Sequence, residues 1–183
     1  MSEISPDASL ILKMFGEDEF YDGLLRIVEE NSDWMFEEAD FQPIAALFIN
    51  QYLGKHDHYA KQFFAVREIS LDTDEGKVKP DISIFQKEGR KQRLCAIEIK
   101  YDFGRSPRIA AKYILEDIKK LRSMAVQPIS RVFILVTENQ GEYWSELEEF
   151  ASESGQTFIP IFPRHSITNP DAVRHLRAYL EKM

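Results

Sequence analysis

Two short apolar segments that carry charge at their ends constrain this chain most. KPDISIF (79–85) and RLCAIEIK (93–100) read as two strands joined by the polar turn KEGRKQR. Side chains alternate faces along a strand, so Glu98 and Lys100 point one way while Ile97 and Ile99 point into a core. By the same alternation Asp81 shares a face with Ser83, opposite Ile82 and Ile84. If the two strands pair, two carboxylates and an ammonium meet on one face. Charge where burial is expected costs free energy, and a functional role is the economical reason for it.

The rest of the chain supplies a frame for that pair. Residues 8–30 have helical periodicity in two pieces broken near Gly16, the second with Phe20, Leu24, Ile27 and Val28 inward. A helix is expected over 34–53, with Phe41, Ile44, Ala45, Phe48, Ile49 and Tyr52 on one stripe. Pro43 places the start of its regular part at Asp40 to Gln42, and Gly54 is its expected stop. FFAVREISL is a strand candidate and DTDEGK a turn, which makes a three-stranded meander with the charged pair. Ser106-Pro107 opens a helix with Ile109, Tyr113, Ile114, Ile118 and Leu121 inward. RVFILVTE reads as a buried strand, EYWSELEEFASESG as a helix, and TFIPIF as a last strand that Pro160 places at or near an edge. Asn169-Pro170 caps a final helix. The expected fold is an α/β domain with a central mixed sheet, the meander plus further strands, flanked by helices. A single domain spans 1–183, divided into an N-terminal helical extension (1–33), a core (34–137) and a C-terminal helix-strand-helix (138–183).

Charge is distributed unevenly. The net formal charge of −8 argues against a protein that coats nucleic acid generally. Residues 1–98 hold 11 basic and 20 acidic side chains, whereas 99–131 hold 8 basic and 3 acidic. The basic block therefore begins at Glu-Ile-Lys and follows the next helix, where it suits a phosphate-facing surface or a plain solvated face equally well. No apolar run reaches the roughly 20 residues of a membrane helix, and MSEISPDASL lacks a basic-then-apolar leader, so a cytoplasmic protein without a membrane partner is expected. Cys95, the only cysteine, reads as a small buried hydrophobe in a reducing compartment. His56-Asp57-His58 lacks a third ligand, and Asp72-x-Asp74-x-Gly76 lacks the later ligands of a calcium loop, so both read as polar loop and turn.

Pro80-Asp81, about sixteen residues, then Glu98-Ile99-Lys100 and a helix resembles the PD-(D/E)xK nuclease superfamily over residues 34–137. The resemblance implies a restriction-endonuclease-like core and a Mg2+-dependent hydrolase of phosphodiester bonds, with Mn2+ as an alternative ion and DNA preferred over RNA as partner. Asp81 and Glu98 would be metal ligands, with a backbone carbonyl at Ile99 as a further one; such an ion accepts two carboxylates and keeps several waters. Lys100 would hold or help deprotonate a water and balance charge on the phosphate. Superfamily members often add a glutamate from the preceding helix, which supports a second metal. Glu38 is preferred here over Glu37, with Glu29 and Glu30 more remote.

Arg105, Arg108, Lys112, Lys119 and Lys120 are the candidates for phosphate contact. Asp117 followed by Lys120-Leu121 resembles a pattern of small members, without an assignable role. Glu68 could reach the site, although a surface ion pair with Arg67 or a lysine across the turn is the stronger expectation. Against a net −8, such an enzyme would need its basic helix, a homodimer or a basic partner subunit to hold a polyanion. The competing readings are a catalytically inactive nuclease-like fold serving as a protein-binding or regulatory module, and an α/β domain whose Asp-Glu-Lys cluster is a structural ion-pair network.

Overall fold

A computed structural model describes residues 5–31, 38–60, 62–73, 76–87, 92–102, 107–124, 129–137, 143–153 and 155–162. The elements run α1 (Pro6–Met14), α2 (Asp18–Asn31), α3 (Glu38–Lys55), α4 (Asp57–Ala60), β1 (Phe63–Arg67), β2 (Leu71–Thr73), β3 (Gly76–Val78), β4 (Ile82–Gln86) and β5 (Arg93–Asp102), then α5 (Pro107–Ser123), β6 (Ser130–Thr137), α6 (Trp144–Ser152) and β7 (Gln156–Ile161). The sheet order is β1-β4-β5-β6-β7. The first three strands are antiparallel, while β6 and β7 join β5 in parallel through α5 and α6. This is the expected mixed sheet with helices on both faces. β2 and β3 form a separate hairpin between β1 and β4. The expected final helix after Asn169-Pro170 lies outside the described residues.

Alternation sorts the strands between two apolar layers. Cys95, Ile97 and Ile99 of β5 and Val132, Ile134 and Val136 of β6 pack with buried residues of α1, α2 and α3, among them Ile11, Leu24, Phe41 and Ile49. Ala96, Phe133 and Leu135 face the other way, onto Ile114, Ile118 and Leu121 of α5 and Leu147 and Phe150 of α6. Every residue of β6 is buried, as its unbroken apolar run requires of a strand covered on both sides. Glu98 and Lys100 share the Ala96 face by the same alternation. Among the described residues no helix is long and apolar enough to cross a membrane.

The two edge strands are managed locally. β1 is an edge strand, and the Asn50 side chain of α3 acts as a substitute neighbour. Its Oδ1 accepts from Ala65 N (2.8 Å) and its Nδ2 donates to Ala65 O (2.9 Å), so one rung of the free edge is occupied. Pro160 lies in β7, the opposite edge, where a missing N–H costs least.

Five expectations need correction. The segment at His56-Asp57-His58, expected as a polar loop, runs into a short helix, α4, from Asp57. α3 begins at Glu38 and carries Pro43 inside it. Proline removes one helical bond, to the carbonyl of Ala39, and both residues are exposed, so water can satisfy that carbonyl. α3 also passes through Gly54, which touches nothing where a Cβ would lie, and ends at Lys55. FFAVREISL is not one strand: β1 stops at Arg67, where Glu68 turns the chain with φ 54°. Tyr113 of α5 is 44% exposed. Positions 113, 117 and 120 form one helical stripe, and Tyr113 shares that polar flank with Asp117 and Lys120 instead of the Ile114-Ile118-Leu121 face.

α2 and α3 approach closely at Gly23, where a Cβ would lie 2.3 Å from Phe48 Cζ and 2.5 Å from Cε2. The Phe48 ring packs against Phe20 and Tyr52, with centroids 5.3 and 6.0 Å away. Gly-to-Ala in a helix interior ordinarily gains about 1 kcal/mol. Here Gly23→Ala is expected to lose about 1–3 kcal/mol through overpacking, read as a lower urea midpoint. A midpoint equal to or above wild type would show that the ring swings aside freely.

Candidate functional site

The charged residues gather where β4 begins and β5 approaches its carboxyl end. β4 and β5 pair as far as Ile82 and Ile97. Beyond that rung the Ile99 amide donates to Asp81 Oδ2 at 2.7 Å, so the aspartate side chain takes an amide that the β4 backbone no longer reaches. The Asp81 carbonyl is also engaged, accepting from Glu68 N at 3.0 Å. Asp81 is thus held from both sides in front of Glu98, whose side chain is only 3% exposed.

A half-buried and a fully buried carboxylate close to each other resist ionisation. Burial raises Asp81 from 3.8 to about 6; the Ile99 amide and Lys120 oppose this, while Glu38 and Asp117 add to it. Burial also drives Glu98 well above the ordinary glutamate value, with the Asp81 charge next in weight and Lys120 pulling the other way. Lys120 Nζ reaches Glu98 Oε1 at 2.6 Å from α5.

Lys100 takes different partners. Its ammonium lies 2.9 Å from Asp117 Oδ2 and 3.3 Å from Glu38 Oε2. Burial alone would lower its pKa, but the Asp117 and Glu38 carboxylates outweigh this and hold it above the ordinary lysine value. Glu38 Oε2 also accepts from Tyr101 N at 3.4 Å, which ties the first turn of α3 to the end of β5. The cluster therefore holds four carboxylates (Glu38, Asp81, Glu98 and Asp117) against two ammoniums (Lys100 and Lys120).

Most of the residues singled out by sequence meet here. Asp81, Glu98, Lys100 and Glu38 do, and Ile99 contributes its amide to Asp81. Lys120 points inward onto Glu98, whereas Lys119 and Lys112 are exposed, the latter 4.0 Å from Glu116. Arg105 and the alternative Glu37 lie outside the described residues, as does the Arg108 side chain. Glu68 forms a surface pair with Lys79 at 3.0 Å, as the stronger expectation had it. His56 stacks on Tyr52, with centroids 4.3 Å apart, and its Nε2 lies 3.7 Å from Glu19. Cys95 is fully buried. Asp117 is the residue to which the sequence assigned no role, and it proves to be a partner of Lys100. The available signal was its i, i+3 spacing to Lys120 beside the buried stripe, which puts both on one flank.

Among the described residues no three carboxylate, imidazole or thiolate groups form a closed cation cage. A hydrated divalent ion asks for less. Asp81 and Glu98 offer hard oxygens on neighbouring strands, and burial makes the ionised form of each costly without added positive charge. The two-charge excess of acids over lysines matches one such ion, so the residues fit it. Ser83 Oγ, fully buried on the Asp81 face, has no hydrogen-bond partner among the described residues, a further polar atom beside the acids. Compared with protein-family models, curated proteins and solved structures, the chain matches none of them.

Proposed function

We propose that the chain is a divalent-metal-dependent nuclease of the PD-(D/E)xK kind, with a restriction-endonuclease-like core, that hydrolyses phosphodiester bonds of DNA or RNA. One observation carries this reading. A half-buried Asp81 and a buried Glu98 lie close enough to feel each other's charge at the end of a paired β4–β5, with Lys100 two residues along the same face. Asp81 and Glu98 would hold Mg2+ or Mn2+. Such an ion supplies Lewis-acid polarisation of a phosphate and a bound water of lowered pKa.

The chain's own groups divide the remaining work. Lys100 stays protonated at neutral pH because Asp117 and Glu38 hold its pKa up. That suits it to donate hydrogen bonds and to stabilise negative charge on the phosphate, and makes it a poor general base. Glu38 and Asp117 are positioning residues that fix the ammonium from two sides. Lys112 and Lys119 present exposed charge on α5, where a phosphate backbone would find them.

A second reading is favoured by the closure of the network, since the lysine–carboxylate contacts satisfy much of the charge without any ligand. On that reading the fold is a catalytically silent protein-binding or regulatory module. A panel of single-stranded, duplex and branched DNA and RNA, incubated with Mg2+, Mn2+ or EDTA, separates the two. Nuclease action predicts cleavage that requires the metal, and substrate affinity that falls steeply with salt. No cleavage of any substrate, with no salt-dependent binding, would favour the silent module.

A further inference from the structure

We propose that Lys120 is the resident counter-cation of this site, a placeholder that a divalent ion must displace from Glu98 in order to bind there. The inference rests on the metal-site reading above and deepens it. Ionised at that depth, Glu98 needs a positive partner, and Lys120 Nζ supplies one at 2.6 Å. An ammonium and a divalent cation on the same carboxylate oxygen repel each other in a weakly screened site, which favours exchange over sharing.

The two lysines of the cluster are built differently for this purpose. Lys100 is 14% exposed and held by two carboxylates from two helices. Lys120 is 27% exposed and has Glu98 as its ion-pair partner. It sits on the polar flank of α5, one turn on from Asp117, and reaches inward on a flexible four-carbon stem, so its route to solvent is a rotation of its own side chain. Lys100 therefore remains in place while Lys120 exchanges. The metal-free protein stays folded around its acids, and metal affinity is set by this exchange and not by the carboxylates alone.

The test is a calorimetric titration of Mn2+ into wild type, Lys120→Met, Lys120→Arg and Lys119→Met, with melting temperatures recorded before metal is added. Removing the competing charge should tighten Mn2+ binding by about tenfold or more in Lys120→Met, while lowering the metal-free melting temperature. Lys120→Arg keeps a cation on Glu98 and should bind no more tightly than wild type. Lys119→Met removes an exposed charge one residue away and should match wild type within about twofold. If Lys120→Met does not fold without metal, Lys120→Gln answers the same question with an uncharged hydrogen-bonding group. Unchanged or weaker Mn2+ binding in both Lys120→Met and Lys120→Gln, with wild type binding normally, would overturn the placeholder and leave the metal site standing. A wild type that binds no Mn2+ would overturn both.

Discussion

Lys100→Met is expected to lower kcat by about a hundredfold to ten-thousandfold while leaving substrate affinity within a few-fold of wild type. The reason is where the ammonium sits. Asp117 and Glu38 hold it charged; on the proposed nuclease reading that charge would meet a phosphate oxygen as its charge grows in the transition state. Methionine keeps the stem and its packing but offers no proton and no charge. It also leaves Glu38 and Asp117 facing each other without their cation, which should cost on the order of 2 kcal/mol of stability. A double variant, Lys100→Met with Asp117→Asn, removes that repulsion. It should recover melting temperature without recovering activity. Activity that follows stability in the double variant would mean that Lys100 is structural only.

The second large effect is on stability against pH. Asp81 has a folded pKa of about 6 against an ordinary 3.8, and Glu98 is also raised. A carboxylate whose folded pKa is raised contributes stability that is fully present below its unfolded pKa and is lost as pH rises through the folded pKa. The metal-free protein should therefore lose the Asp81 contribution between about pH 4 and about pH 6, and the Glu98 contribution as pH rises above the ordinary glutamate value. Asp81→Asn imitates the protonated form at every pH. The difference in unfolding free energy between the variant and wild type should open from about pH 4, be complete near pH 6 and reach on the order of 2 kcal/mol in the variant's favour. Saturating Mg2+ should close that gap, because the ion supplies the positive charge that protons otherwise bring. Parallel pH profiles for wild type and Asp81→Asn would show that the carboxylate is not crowded as described.

How far the sequence revealed this arrangement differs from group to group, for physical reasons. The period-2 pattern of RLCAIEIK was enough to put Glu98 and Lys100 on one face, because strand alternation allows no other result. The buried strand Ser130–Thr137 followed from its apolar run. Helical periodicity likewise located Ile114, Ile118 and Leu121. It could not show which way the long side chains at the edge of that face would lean. Lys120 was therefore expected to reach outward to phosphate, yet it folds back onto Glu98, the more deeply buried charge. Lys100 was expected to serve the Asp81-Glu98 pair and instead lies between Glu38 and Asp117, a choice set by how α3 and α5 dock on β5. Pro43 misled for a local reason, since a proline rule cannot see that the orphaned carbonyl of Ala39 faces solvent.

The central claim is that Asp81 and Glu98 together accept one divalent ion. Titrating Mn2+ into wild type, Asp81→Asn and Glu98→Gln, with folding checked by circular dichroism, tests it most directly. One ion per chain in wild type, with binding at that site weakened by about tenfold or more in each folded variant, is the expected result. Wild-type affinity and stoichiometry in both variants would contradict it.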